Sequence, residues 1–284
     1  MERVLVTGGK GFIGNVVCRK LTERGITPVT FDLPDFNIEF RASIKDAVAK
    51  CDGAIHLAGI LGTSETMDRT IEAVRINTEG ALNFILAVKA KPMKAVMISV
   101  GHHWMLNPYA ITKKAAENFA FMANAEYGTK IAVVRAYHAY GPGQKAKPIR
   151  KIIPSFVTRA LRGQPIQIFG DGSQVIDLVH VEDVAEALVR ALILDHGVYD
   201  RTLEAGTGMG WTVRAAAEEV YKSMFGSNLS TSIELLPQRS GEQVGPVIAD
   251  FNLDLLGMPL QEMKRFQPEL PAVIHWYREH LEEM

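Results

Sequence analysis

The chain is expected to be an α/β protein, a doubly wound parallel sheet followed by a smaller α/β lobe. Three observations carry this expectation. Short apolar runs alternate with stretches of helical periodicity from Arg3 to Gly141. The first run leads through a glycine-rich turn, "VTGGKGFIG" (6–14), into the first helical stretch. Beyond "YGPGQ" (140–144) the alternation becomes irregular, although strand and helix signals continue. Strands that alternate with helices need crossover connections, and these set the strands parallel and cover both faces of the sheet.

The elements follow in order. "RVLVTGG" (3–9) is a short apolar run ending in glycines, which predicts a buried parallel strand. "GFIGNVVCRKLTERG" (11–25) has helical periodicity and stops at Gly25. "TPVTFD" (27–32) is the second strand, "SIKDAVAKC" (43–51) a helix and "DGAIHLAG" (52–59) the next strand. Residues 67–90 read as one or two helices, "KAVMISV" (94–100) as a strand, 109–128 as a helix and "KIAVVRAYHAYG" (130–141) as a strand. In the second part, 152–163 is helical, "IQIFGDG" (166–172) is a strand and turn, and 181–194 is helical. "WYREHLEEM" (276–284) reads as a terminal amphipathic helix. These readings place a dinucleotide-binding domain at 1–144, with parts of 166–200 interleaved, and a substrate-binding lobe at 145–284.

Composition excludes several classes of function. Lys and Arg number 31 against 32 Asp and Glu, so no global field favours nucleic acid or an anionic membrane. Apolar runs fall short of the roughly 20 residues of a membrane span, and the N-terminus enters a strand directly, without the pattern of a signal peptide. Cys18 and Cys51 are isolated within helical patterns and read as small buried hydrophobes. A cytoplasmic protein that binds no metal is the expectation.

Gly8, Gly11 and Gly14 have G-x-x-G-x-x-G spacing, and Gly9, Gly11 and Gly14 have G-x-G-x-x-G spacing. Either pattern describes a strand-to-helix turn in which missing Cβ atoms let a pyrophosphate approach backbone N–H groups and the helix dipole. Asp32 closes the next strand, 18 residues beyond Gly14. An acid there accepts hydrogen bonds from the adenosine ribose hydroxyls and repels a 2′-phosphate. No Arg or Lys follows in "DLPDFN" (32–37), so NAD is expected rather than NADP. The sheet is therefore expected to be of the Rossmann type. Tyr109 and Lys113, four positions apart, share one face of a helix. A lysine ammonium so placed is expected to lower the tyrosine pKa, which suits Tyr109 to acid–base work near neutral pH.

With these motifs in order, the chain resembles the extended short-chain dehydrogenase/reductase family, the NAD-dependent nucleotide-sugar epimerases and dehydratases. "TGGKGFIG" (7–14) is similar to the family's T-G-x-x-G-F-I-G, which brings Phe12 and Ile13 to the cofactor with the glycines. "HLAG" (56–59) resembles H-x-A-[AG] and adds Leu57, Ala58 and Gly59 to the cofactor lining, while Asn77 matches a structural asparagine beside them. "PYAITKKAAE" (108–117) resembles P-Y-x-x-S-K-x-x-x-E, and "RAYHAYGPGQ" (135–144) resembles R-x-x-N-x-Y-G-P-G-Q. "GDGSQVIDLVHVEDVAEAL" (170–188) is similar to the stretch containing Q-x-R-D-[FY]-[IV]-H-V, and "PQRSGE" (237–242) to P-x-R-P-G-[DE], whose arginine grips a nucleotide diphosphate. The resemblance implies NAD as cofactor, a nucleotide sugar bound near His138 and Arg239, and a homodimer built on the helices at 67–90 and 109–127, with "NFAFM" (118–122) in the contact.

The substrate half departs from the family. Its arginine is Ile176 here, the asparagine of R-x-x-N is His138, and the catalytic Ser/Thr falls on Gly101. The loop after that position is short, yet eight residue steps span up to ~26 Å, enough for Tyr109 to return to the strand end. Ser99 or His102 is left to supply the missing hydrogen-bond donor. Lys145, Lys147, Arg150 and Lys151 form a basic run that either supplies diphosphate charge or is a solvated loop. "GTGMG" (206–210) reads as a loop lining the cleft, with Thr212 capping the next helix. Asp177, His180 and Asp183 read as strand contacts and a helix cap rather than metal ligands. "SVGHHWM" (99–105) lacks the Asp-Glu pair needed for 4,6-dehydration. An epimerase working by transient oxidation is the leading reading. A sugar or sugar-acid dehydrogenase and a non-catalytic dinucleotide-binding protein are the alternatives.

Overall fold

The computed structural model describes residues 1–226 and 233–284. Its main sheet has six parallel strands in the order β2-β1-β3-β4-β5-β9. These are β1 (Arg3–Thr7), β2 (Thr27–Phe31), β3 (Gly53–His56), β4 (Lys94–Val100), β5 (Lys130–Ala136) and β9 (Thr202–Ala205). Winding reverses between β1 and β3. A crevice therefore opens above their C-terminal ends, where such folds bind ligands.

Strand alternation divides the core. Val4 and Val6 face one side of β1 and Leu5 the other. The first side is covered by α1 (Phe12–Glu23) and α7 (Val181–Ile193), through Val17, Leu21, Val184 and Leu188. The second is covered by α2 (Arg41–Ala49), α4 (Gly80–Ala90) and α5 (Pro108–Tyr127), through Ile44, Phe84, Val88 and Ala120.

The expected helical stretch at 67–90 is more broken than its periodicity implies. A 3₁₀ turn, Met67–Arg69, precedes α3 (Thr70–Ala73), and a π-helical segment, Val74–Glu79, joins α3 to α4. Asn77 lies in the π segment, where the wider turn aims its side chain at the loop after β3. The expected strand at 130–141 breaks at Tyr137. β5 stays in the main sheet, while β6 (His138–Tyr140) pairs with β8 (Val175–His180), beside antiparallel β10 (Gly210–Thr212).

The remaining residues form a second core. β7 (Ile166–Phe169) pairs with β11 (Ile233–Leu236), and α6 (Ile152–Leu161), α8 (Val213–Phe225) and α9 (Phe266–Glu279) pack together through Phe156, Val220, Leu270 and Tyr277. The last helix begins ten residues before the amphipathic stretch and ends short of the terminus. The chain returns to the main sheet through α7, which falls within 166–200, and through β9, just beyond that stretch. Among the described residues no helix is long and apolar enough to cross a membrane.

Candidate active site

The glycine turn forms a cradle that side chains would fill. Gly8 has φ +70°, and a Cβ there would lie 2.8 Å from the Ala58 nitrogen. A Cβ on Gly14 would lie 2.2 Å from the Gly8 carbonyl oxygen. Gly11 caps α1 without a side chain, and the first turn carries no acid. The N–H groups of Phe12, Ile13 and Gly14 therefore have no partner within the helix and point toward the crevice. Asp32 stands at its rim, held by the Lys10 N–H at 2.9 Å and the Leu33 N–H at 2.8 Å. These features fit a dinucleotide: free N–H groups for a pyrophosphate and a carboxylate for ribose hydroxyls.

The far wall of the cradle is built by hydrogen bonds from its own side chains. The Thr7 hydroxyl accepts from the Leu57 and Ala58 N–H groups, each at 3.2 Å, and lies 2.8 Å from His56 Nδ1. Asn77 Oδ1 accepts from the Ile60 N–H at 2.9 Å, and its amide donates to the Ile60 carbonyl and to Thr112, both at 3.2 Å. Its contacts tie the loop of Leu57, Ala58 and Gly59 to α5.

Asn107 caps α5, accepting from the Ala110 N–H at 2.9 Å, and Pro108 takes the first helical position. This sets Tyr109 and Lys113 in the first turns, both buried. Among the described residues neither the tyrosine hydroxyl nor the ammonium has a hydrogen-bond or ion-pair partner within the chain. Burial raises the Tyr109 pKa above the usual phenol range. Burial lowers that of Lys113 to about 8, with nearby Glu117 opposing. The expectation that Lys113 lowers the Tyr109 pKa is thus not met in the chain alone, where desolvation governs both groups.

Ser99 is not brought to Tyr109. Its hydroxyl donates to Glu117 at 3.1 Å. Glu117 also holds the Arg135 guanidinium, at 2.7 Å and 2.9 Å, and Arg135 reaches Glu204 at 3.2 Å. The hydroxyl therefore belongs to a buried ionic network behind the helix, on the face of β4 that strand alternation gives it. His102 is different. Its ring centre lies 5.5 Å from that of Tyr109 and 6.4 Å from that of His138. His102 Nε2 and His138 Nδ1 are both buried without a partner among the described residues. Burial, reinforced by the charge of Lys151 and by a neighbouring imidazole, lowers their pKa values to about 4 and about 3. Both rings are neutral at pH 7.

Both imidazoles line a cleft open to solvent, with Arg150, Lys151, Phe169, Ile176 and Arg239 among its other walls. Arg239 is ion-paired with Glu65 at 2.8 Å and Glu242 at 3.4 Å. Of the basic run, Arg150 and Lys151 reach the cleft, whereas Lys145 and Lys147 are exposed and do not line it. The 206–210 loop does not line it either. Thr207 and Gly208 donate their N–H groups to buried Asp177, and Thr212 caps α8. His180 caps α7, and Asp183 accepts from the Lys264 N–H at 2.8 Å.

One residue escaped the sequence reading. A Cβ on Gly101 would lie 2.5 Å from Cδ1 of Tyr137. The Tyr137 ring fills the space beside the strand end, and its hydroxyl donates to Glu204 at 2.6 Å.

A dinucleotide cradle, a buried Tyr–Lys pair and a cleft that carries imidazoles and guanidinium groups define an α/β enzyme of the extended short-chain dehydrogenase/reductase type. The chain belongs to the NAD dependent epimerase/dehydratase family, whose sequence model matches residues 4–203, and its cofactor is NAD. It is 25% identical to a UDP-N-acetyl-alpha-D-glucosaminuronate decarboxylase of Bacillus cytotoxicus, over 98% of each chain. It is 29% identical to a UDP-glucose 4-epimerase of Rhizobium leguminosarum bv. trifolii, covering 85% of this chain and 87% of that one. Among solved structures it resembles a UDP-glucose 4-epimerase of Thermotoga maritima determined with UDP-glucose, with a TM-score of 0.86 and 25% identity over 98% of this chain and 99% of the other.

Proposed function

We propose that this chain is a nucleotide-sugar epimerase that inverts a sugar carbon by transient oxidation. The observation that carries the reading is the buried, unpartnered pair Tyr109 and Lys113, with the Tyr109 ring 5.5 Å from that of His102, which lines the cleft. Gly8, Gly11, Phe12, Ile13, Gly14 and Asp32 hold the dinucleotide, with Leu57, Ala58 and Gly59 against its other side. When bound, NAD would supply hydride-transfer chemistry, so that a hydride taken from the carbon could be given back to its other face. Tyr109 takes the proton of the sugar hydroxyl and later gives it back. Lys113, one helical turn on, would bind the nicotinamide ribose. His102 takes the place of the absent hydroxyl side chain: one N–H of its neutral ring donates to the reacting oxygen. Asn77 ties the loop after β3 to α5, and Glu117 ties α5 to β4 and β5 through Ser99 and Arg135.

Arg239 and Arg150 match the charge of a nucleotide diphosphate, and His138 lies toward the sugar. The chain also forms a homodimer on this reading. Ile71, Val74, Ile111 and Met122 are exposed apolar side chains on the two helical stretches concerned, whereas Phe119 and Phe121 pack partly against the subunit's own core.

Turnover of UDP-sugars by purified variants tests the mechanism. Tyr109→Phe is expected to abolish epimerisation while NAD remains bound. His102→Ala is expected to lower kcat about 10²-fold or more, in line with loss of a positioned donor, and Ser99→Ala to lower it less. Full activity in Tyr109→Phe refutes the mechanism. A larger loss in Ser99→Ala than in His102→Ala reassigns the donor.

A further inference from the structure

The cations of the cleft divide into two groups. The guanidinium carbons of Arg150 and Arg239 lie 5.1 Å and 5.5 Å from the centre of the Phe169 ring. Arg239 already has two carboxylates, Glu65 and Glu242. Lys151, at the N-cap of α6, makes no such ring contact among the described residues and lines the same cleft as His102 and His138. Its charge acts on both imidazoles.

Among the described residues no carboxylate pairs with Lys151, and its ammonium makes no hydrogen bond. Glu65 acts on it only from beyond ion-pair distance, and Arg239 repels it. Around it the cleft is lined by Ile152, Phe156 and Ile176. Nothing caps the α6 N-terminus, and its first turn carries no acid. The N–H groups of Ile152 and Ile153 are therefore open on the same side, while Pro154 contributes none. Lys151 is half-buried, and a partly desolvated charge left without a partner is costly; an anion from outside removes that cost.

We propose that Lys151 receives a carboxylate carried on the sugar ring, so that the substrate is a nucleotide-linked uronic acid. This rests on the reading of the cleft as a nucleotide-sugar site. Arg150 and Arg239 suffice for the diphosphate, at the Phe169 end. The sugar must lie at the other end, because there His102 approaches Tyr109. A neutral hexose leaves Lys151 unpaired in that position; a ring carboxylate accepts a charge-assisted hydrogen bond from it.

The test is calorimetric binding of UDP, UDP-glucose and UDP-glucuronate to the NAD-loaded protein and its Lys151→Met, Lys151→Arg and Arg239→Met variants. The wild-type chain is expected to hold UDP-glucuronate about tenfold or more tighter than UDP-glucose, the scale of one hydrogen bond to a charged group. Lys151→Met removes the preference and leaves UDP and UDP-glucose nearly unchanged; Lys151→Arg retains it; Arg239→Met weakens all three. Equal wild-type affinity for the two sugars overturns the proposal. So does an equal loss of UDP and UDP-glucuronate in Lys151→Met, which makes Lys151 a diphosphate ligand. Failure of all three compounds to bind overturns the nucleotide-sugar reading itself, and the proposal with it.

Discussion

Restoring a serine at Gly101, as the family pattern suggests, is expected to damage this protein. A Cβ at that position meets Tyr137 at 2.5 Å, 2.6 Å and 2.8 Å from Cδ1, Cε1 and Cγ. The ring has little room to yield. Gly206 lies on its other side, where a Cβ would be 3.0 Å from Cδ2, and the Tyr137 hydroxyl is tied to Glu204 at 2.6 Å. Overpacking of this kind costs about 1–3 kcal/mol. Displacing the ring also breaks a hydrogen bond to a charged group, worth about 1.5–3 kcal/mol. Gly101 is not at positive φ, so the substitution recovers about 0.5 kcal/mol from the unfolded chain. The net loss is about 2–5 kcal/mol, read as a lower urea midpoint at unchanged slope. In Gly101→Ser/Tyr137→Leu the clash is gone, so the double variant should be at least about 1 kcal/mol more stable than the two single losses predict. An unchanged midpoint in Gly101→Ser, or strict additivity in the cycle, refutes the reasoning.

Three further outcomes are expected. Asp32→Ala should weaken NAD and narrow its advantage over NADP, measured by titration; an unchanged ratio removes Asp32 from cofactor selection. His56, His102, His138 and His180 have pKa values lowered by burial from 6.5 to about 3, 4, 3 and 4. The unfolded chain therefore binds more protons below pH 6.5. The stability held by these neutral rings is complete above that pH and is lost as pH falls toward 4, by about 1 kcal/mol per histidine between pH 6.5 and 5.5. Denaturation midpoints that stay flat from pH 7 to 5 contradict this, and His56→Gln should flatten the slope by roughly a quarter. Light scattering at micromolar concentration should show a dimer, which Ile71→Glu and Ile111→Glu reduce to monomer; a wild-type monomer rejects the interface.

Local patterns were legible where local geometry made them. Gly8, Gly14, Asp32, Tyr109 and Lys113 lie at spacings set by one turn and one helix, and the cradle and the helix face follow from those spacings. Contacts between distant residues were not legible. Nothing near Gly101 announces that Tyr137 occupies its side-chain space, since the two meet only when β4 and β5 pair. Ser99 is in the right strand, but the pleat turns it toward Glu117. Lys145, Lys147, Arg150 and Lys151 are one basic run in sequence, and only the start of α6 singles out Lys151. The break after β5 was hidden because "RAYHAY" keeps strand character across Tyr137, while the pairing partner changes.

The placement of β9 has a consequence for how the protein is made. The edge strand of the cofactor sheet, and the helix covering one of its faces, are encoded at 202–205 and 181–193. During synthesis the cradle of Gly8 to Gly14 leaves the ribosome well before β9, and β5 waits for its neighbour until residues 202–205 have emerged. A fragment cut at 144 would keep the glycine turn and the Tyr109 helix and yet expose the edge of β5 and the bare face under α7. The two halves cannot be exchanged between relatives as cassettes at that point. A chimera must carry 181–205 with the cofactor sheet, and a new substrate lobe has to be grafted around that returning segment.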